Sequence, residues 1–221
     1  MSLFLAPIHF WLFNKIKIQE ELELALVDAF KIEFGMEPIE IHDKMKDTYG
    51  NLYTEEGKAL DEIIDTSNIH GWLQNAIDIT ERRQAHYIKA LVSSYGDPAI
   101  SIVDEIFSEM GGKAGTEAKE KLSDVTAPDL YNVLYDYLID GMPCDNVRKV
   151  TESTPDKVVY EQSVCLHRKY WDEADLNAEM MYEFRFSWIK SFILQASNGE
   201  FHYDFRIISP DQTHTIYRAE I

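Results

Sequence analysis

Apolar residues recur every three to four positions through the first half of the chain and alternate in short runs after about residue 145. The first spacing is that of helices and the second that of strands. No Gly or Pro interrupts residues 8 to 34, and only Gly71 falls near the start of 69 to 95. Each stretch therefore predicts a helix of about 27 residues, some 40 Å long. Pro7 suits a first-turn position and Ser67 an N-cap. Gly35 and Gly96 are placed to end these helices, because glycine takes the left-handed conformation at little cost. Pro38 and Pro98 then open second helices, near 39 to 49 and 99 to 110, with stops at Gly50 and at Gly111-Gly112. Further helices are expected near 54 to 64, 115 to 122 and 128 to 139.

The two long helices belong to an internal repeat. At a shift of 61 residues, Ile8, His9, Trp11, Leu12, Asn14, Ile16, Ile18 and Glu20 fall on Ile69, His70, Trp72, Leu73, Asn75, Ile77, Ile79 and Glu81. The match runs on without a gap to give 16 identities over the 53 pairs from 8/69 to 60/121. Ordinary composition gives roughly three by chance. Two copies at this period do not make a solenoid. They predict two like helical units packed about a pseudo-two-fold axis. The repeat also explains the hydrophobic opening at 6 to 20. It has a near copy in mid-chain and lacks a basic n-region and a small-residue cleavage site, so a structural helix is expected there rather than a leader.

After residue 145, Thr154-Pro155-Asp156-Lys157 forms a turn between two β-rich runs, "NVRKVTES" and "VVYEQSVCLHRKYW". An amphipathic helix over about 174 to 196 follows. "EFHYDFRII", a Ser-Pro-Asp-Gln turn and "THTIYRAEI" then read as a hairpin. The expected fold is α+β: tandemly duplicated helical units followed by a small antiparallel sheet with one long helix. The parts are 1–64, 65–125 and 126–221. No Pro/Gly/Ser-rich linker separates them, so one shared core is expected.

Composition narrows the partners. The 221 residues are 45% hydrophobic and 27% charged, an ordinary globular balance, but the net charge is −18. A field of that sign repels phosphate backbones and anionic lipid, so neither nucleic acid nor a membrane surface is an expected partner. No apolar run reaches the roughly 18 residues a membrane span needs. Two cysteines, Cys144 and Cys165, lack metal-type spacing and suit a reducing, cytoplasmic compartment.

Candidate chemistry sits in two places. His9, Ile16 and Glu20 lie within about 20° of one another around their helix, as do His70, Ile77 and Glu81, with Asn14 and Asn75 roughly opposite. A pseudo-two-fold arrangement would bring His9, His70, Glu20 and Glu81 to a common site for a polar ligand or a divalent metal. The alternative is that these residues hydrogen-bond locally and solve the same packing problem twice. The Trp11/Trp72 pair is read as core. In the strand near 158 to 167, Glu161, Cys165 and His167 share a face, and a thiol beside an imidazole can become a thiolate nucleophile. The competing reading is a buried, inert Cys165. In the hairpin, Phe201, Tyr203 and Phe205 should point one way and His202, Asp204 and Arg206 the other.

The helix "ERRQAHYIKALVSSYGDPA", the strand "VVYEQSVC" and the closing "SPDQTHTIYR" resemble the bacterial L-2-amino-thiazoline-4-carboxylic acid hydrolase family and its 4-vinyl-reductase-domain relatives, over residues 81 to 218. The chain departs from that pattern at Phe186-Ser187-Trp188, where a second cysteine is expected, and at Pro210-Asp211, which replaces a Gly-Asp turn. The resemblance implies a small-molecule cavity between helices and sheet with Cys165, His167, His214 and Arg218 near it. The expected function is small-molecule binding, with hydrolysis of a nitrogen- or sulfur-containing compound by Cys165 and His167 as its enzymatic form and Arg218 steering a carboxylate. Two alternatives stand beside it: an interaction or homodimer surface on the duplicated helices, and a metal or cofactor site at His9 and His70. No cofactor is named by the sequence.

Overall fold

A computed structural model describes residues 5–122, 125–208 and 211–219. The element order is α1 (Pro7–Phe34), α2 (Glu37–Tyr49), α3 (Tyr53–Glu56), α4 (Leu60–Ile63), α5 (Ile69–Tyr95), α6 (Asp97–Lys119), α7 (Ala127–Tyr135), β1 (Arg148–Thr154), β2 (Lys157–Gln162), α8 (Arg168–Glu173), α9 (Ala178–Ala196), β3 (Phe201–Ile208) and β4 (Asp211–Arg218). The chain is α+β, a series of helices followed by a four-stranded antiparallel sheet and a long helix. Both long repeat helices end where the glycines predict, at Gly35 and Gly96, each with a positive φ. The N-cap of α5 is Asn68 rather than Ser67. The Asn68 Oδ1 accepts the Gly71 N–H at 3.0 Å, while Ser67 turns back to Asp65.

The chain divides into two compact units. Unit 1 comprises residues 1–106, 139–142 and 167–178, and unit 2 comprises 107–138, 143–166 and 179–221. In unit 1, α1, α2 and α5 pack on one another. Their core joins Leu12, Phe13 and Ile16 of α1 to Leu73, Ala76 and Ile77 of α5, with Leu60, Ile64, Ile139 and Met142. Trp11 and Trp72 both pack, partly buried, against this one cluster. The repeated apolar positions thus face a common interior, as equivalent sequences on two helices should.

Unit 2 holds the sheet, in the order β1-β2-β4-β3. Val158 and Tyr160 of β2, Phe201 and Tyr203 of β3, and His214 and Ile216 of β4 are buried, while His202, Asp204 and Arg206 are exposed. The strand alternation expected for the hairpin is present, although its turn at Ser209-Pro210 lies outside the described residues. A β-bulge between Val150 and Glu152 interrupts the edge strand β1.

The helix expected near 54 to 64 is broken at Gly57 into the single turns α3 and α4, and the one expected over 128 to 139 ends at Tyr135. Two larger differences stand beside these. Helix α6 does not stop at Gly111-Gly112 but runs on to Lys119. A Cβ at Gly111 would lie 2.1 Å from the Trp188 carbonyl oxygen, and one at Gly115 2.3 Å from that of Phe192. These glycines let the backbones of α6 and α9 approach, a role open to glycine in mid-helix as well as at a terminus. The Ser108 and Ser191 hydroxyls pair at 2.8 Å between the same two helices. The second difference lies after β2, which ends at Gln162, so residues 168–173 are helical rather than extended. Cys165 and His167 are therefore beyond the strand and not on one of its faces.

Candidate functional site

Helix α1 carries a buried stripe at Leu12, Ile16, Glu20, Glu23, Val27 and Phe30, and α5 carries one at Ala76, Thr80, Arg83, Tyr87 and Leu91. Both follow the i, i+4, i+7 spacing of a helix face packed against neighbours. Glu20, Glu23 and Arg83 interrupt stripes that are otherwise mostly apolar, and all three are 0% exposed. Charged residues are almost never buried without partners.

The partners are present. Arg83 Nε donates to Glu23 Oε1 at 2.8 Å, and its NH2 group donates to Glu20 Oε1 at 3.1 Å. The NH1 group donates to the carbonyls of Gly50 and Asn51 at 3.1 and 3.2 Å. Glu20 also accepts the backbone N–H groups of Tyr53 and Thr54, at 3.0 and 2.9 Å, where the chain enters α3. The buried His42 of α2 reaches Glu23 Oε1 through Nε2 at 2.7 Å. Its ring meets that of the buried Tyr87 edge-on at 5.0 Å. Three helices and the α2–α3 turn are thereby tied to one guanidinium.

Burial dominates the electrostatics. It pushes the Glu20 carboxyl above its ordinary value, against the opposing pull of the Thr54 N–H, Arg83 and the Tyr53 N–H. Burial alone would lower the Arg83 guanidinium, but the Glu23 and Glu20 carboxylates outweigh it and the net direction is up. The Tyr87 phenol is raised far above its usual value by burial and by the Glu23 carboxylate, so it stays neutral.

A second polar cluster lies on another face of α5. Glu81 Oε1 meets His167 Nδ1 at 2.9 Å, and Asp140 Oδ1 meets His167 Nε2 at 3.2 Å. All three side chains are buried, and Trp171 stacks beside the imidazole at 5.7 Å. A short hydrogen bond joins the Tyr170 hydroxyl to Asp78, and Arg82 Nε donates to Glu173 at 2.9 Å. Residues 167–178 are held along α5 by this ladder.

The residues singled out from the sequence are distributed as follows. Glu20 and Glu81 are buried but serve different partners, Arg83 and His167. His9 accepts the Ala6 N–H through Nδ1 at 3.0 Å and closes the start of α1. His70, Asn14 and Asn75 are exposed. The shared His9–His70–Glu20–Glu81 site is not assembled, because only the glutamates point inward. No group of three or more His, Cys, Asp or Glu among the described residues is placed to hold a metal ion. Cys165 is partly exposed and belongs to unit 2, while His167 belongs to unit 1. His214 is buried under the sheet, with Nδ1 2.6 Å from the Tyr203 hydroxyl and its ring stacked on Tyr160 at 4.6 Å. Arg218 lies at the surface, donating to Asp156 Oδ1 and Glu200 Oε2, each at 2.6 Å.

Sequence reasoning missed Arg83, Glu23, His42 and Tyr87. The repeat drew attention to Glu81 as the counterpart of Glu20, yet the partner of Glu20 on α5 is Arg83, two residues on. The available signal was the interruption of two apolar stripes by opposite charges.

No protein-family model matches the chain, and no curated protein matches it. Among solved structures, it is similar to an Fe(II) unliganded H-NOX protein mutant from K. algicida. The two are 13% identical over 90% of this chain and 95% of that one, with a TM-score of 0.29. A likeness at that level says nothing about the chemistry of this chain. Among the described residues, no helix is long and apolar enough to cross a membrane.

Proposed function

We propose that this chain is a small-molecule-binding protein and that its ligand engages the Glu23–His42–Tyr87 side of the Arg83 cluster. One observation carries the reading: four ionisable side chains, Glu20, Glu23, Arg83 and His42, are buried together on three helices beside a buried phenol. Removing that many charges from water is expensive, and a well-packed apolar centre is often at least as stable. Clusters of this kind concentrate at functional sites. They supply the few convergent polar groups that orient a ligand among apolar and aromatic walls.

The reading concerns binding and assigns no reaction. Hydrolysis by Cys165 would need a base, and both ring nitrogens of His167 already face carboxylates. Such an imidazole has no nitrogen left to take a proton from a thiol. Arg218 is engaged by Asp156 and Glu200 rather than turned towards a carboxylate ligand.

The test is a thermal-shift screen of small acids, amines and heterocycles, followed by calorimetry on the hits. A ligand that raises the melting temperature, and does so less in Tyr87→Phe, is the expected result. Hits whose affinity is unchanged in both Tyr87→Phe and His42→Gln would place the ligand elsewhere and remove this assignment.

A further inference from the structure

The two edges of the sheet are built differently. Strand β1 carries a bulge between Val150 and Glu152 and is exposed along almost its whole length, with Lys149 and Glu152 at its surface. Bulges and charges of this kind keep an edge from pairing with another chain. Strand β3, at the opposite edge, pairs with β4 from Phe201 to Ile208 without a shift and contains no proline. Its outer side follows from that pairing. The Glu200 carbonyl accepts the Ala219 N–H at 2.9 Å, one step before β3. Backbone groups alternate from there, so even-numbered residues of β3 turn theirs to β4 and odd-numbered residues turn theirs away. Phe201 agrees, since its N–H and C=O are both bonded to the Ser197 hydroxyl, at 3.0 and 3.5 Å. Further along, the N–H and C=O that Phe205 and Ile207 turn outward have no hydrogen bond among the described residues. The Ile207 side chain is exposed and that of Phe205 partly so.

We propose that β3 is a dimer edge, pairing antiparallel with β3 of a second copy about a two-fold axis at Phe205. Charge selects this occupant and this register. Phe205 then meets the partner's Phe205 through main-chain bonds. Asp204 falls opposite the partner's Arg206, in the non-hydrogen-bonded position where side chains come closest. The axis makes that ion pair twice. Both side chains are exposed, and Arg206 has no partner among the described residues, while Asp204 accepts from the Tyr217 hydroxyl at 3.2 Å. A slide of two residues is the smallest that keeps outward backbone groups facing one another. It sets Asp204 against Asp204 or Arg206 against Arg206, and like charges directly opposite are destabilising. Asp204 and Arg206 are also the full charges of β3 and cancel, in a chain whose net charge of −18 otherwise opposes self-association.

The test is sedimentation velocity on the full chain over a concentration series at physiological salt, with amide exchange followed alongside by NMR. A monomer–dimer equilibrium is expected, with exchange at Phe205 and Ile207 slowing as dimer forms. Asp204→Arg and Arg206→Asp should each weaken the dimer about tenfold, because each replaces two cross-strand attractions with repulsions. The two substitutions together should restore it. A chain that stays monomeric at every concentration would overturn the inference and leave the edge to a strand of another protein. A dimer indifferent to both single changes would overturn it by placing the contact elsewhere, such as on the repeat helices. Failure of the double exchange to restore affinity would sink the register and the inference with it. If a variant does not fold, the unsubstituted chain still decides: unchanged exchange at Phe205 and Ile207 as dimer forms would exclude this edge.

Discussion

Two arginines of this chain each bridge two carboxylates, in opposite surroundings. Arg83 joins Glu20 and Glu23 where none of the three touches solvent. Arg218 joins Asp156 and Glu200 with all three exposed and with shorter contacts, 2.6 Å each. Distance alone would rank the Arg218 fork the stronger. Water reverses the ranking, since an exposed pair is screened and its loss leaves solvated groups behind. Removing a buried partner leaves charges with nothing to face. The contrast extends to the two units. At its centre unit 1 joins helices through charge. Unit 2 joins α6 to α9 through bare backbone at Gly111 and Gly115 and stacks His214 between aromatic rings.

The largest effect should come from Arg83→Ala, which strands two buried carboxylates. A loss of about 3–5 kcal/mol in chemical denaturation is expected, enough to unfold a marginal domain. A loss comparable to that of Arg218→Ala would break the contrast. Next, Gly111→Ala and Gly115→Ala should each cost about 1–3 kcal/mol, because the new methyl meets a backbone carbonyl that cannot swing aside. Calorimetric melting of the single variants checks this, and unchanged midpoints would show that the two helices separate freely.

Acid–base behaviour sharpens the comparison within α5's own neighbourhood. Burial raises Glu20 above its ordinary 4.5, so its protonated form is the one favoured by folding. The stability it contributes is present below 4.5 and is lost as pH rises through the folded value. For Asp78, burial pushes upward but the Tyr170 hydroxyl, Gln74, Lys169 and Arg82 outweigh it, and its value falls below 3.8. That contribution is present above 3.8 and is lost as pH falls through the lower folded value. Denaturation across the acid range should show Glu20→Gln flattening the upper part of the profile and Asp78→Asn the lower. Profiles altered in the same direction by both substitutions would contradict the burial difference between them. The smallest effect belongs to Arg218→Ala, a change at the edge of detection that fades with added salt. A large, salt-independent loss there would erase the distinction between the two arginines.

The helical half was legible because its signals are local. Glycine ends a helix by its own backbone freedom, so the limits of α1 and α5 followed from Gly35 and Gly96. The same residue type misled at Gly111, where φ is not positive and the glycine serves a neighbouring helix instead. The run from Val158 to Trp171 looked uniformly β-rich. Its second part became a helix because Tyr170 and Trp171 found burial in unit 1. For the site, the repeat located Glu20 but named the wrong partner, since helical phase tells which face a side chain occupies and not what lies opposite.

By itself the sequence determined the extents of α1 and α5, the repeated core positions around Trp11 and Trp72, and the inward and outward faces of the final hairpin. Each depends on spacing along the chain, which survives without knowledge of neighbours. Only the tertiary structure decided that Glu20 and Glu23 face Arg83, that His42 reaches Glu23, and that Glu81 and Asp140 enclose His167. Those outcomes depend on which segments meet. The energy of a charge is set by what surrounds it, and that is absent from any one stretch of chain.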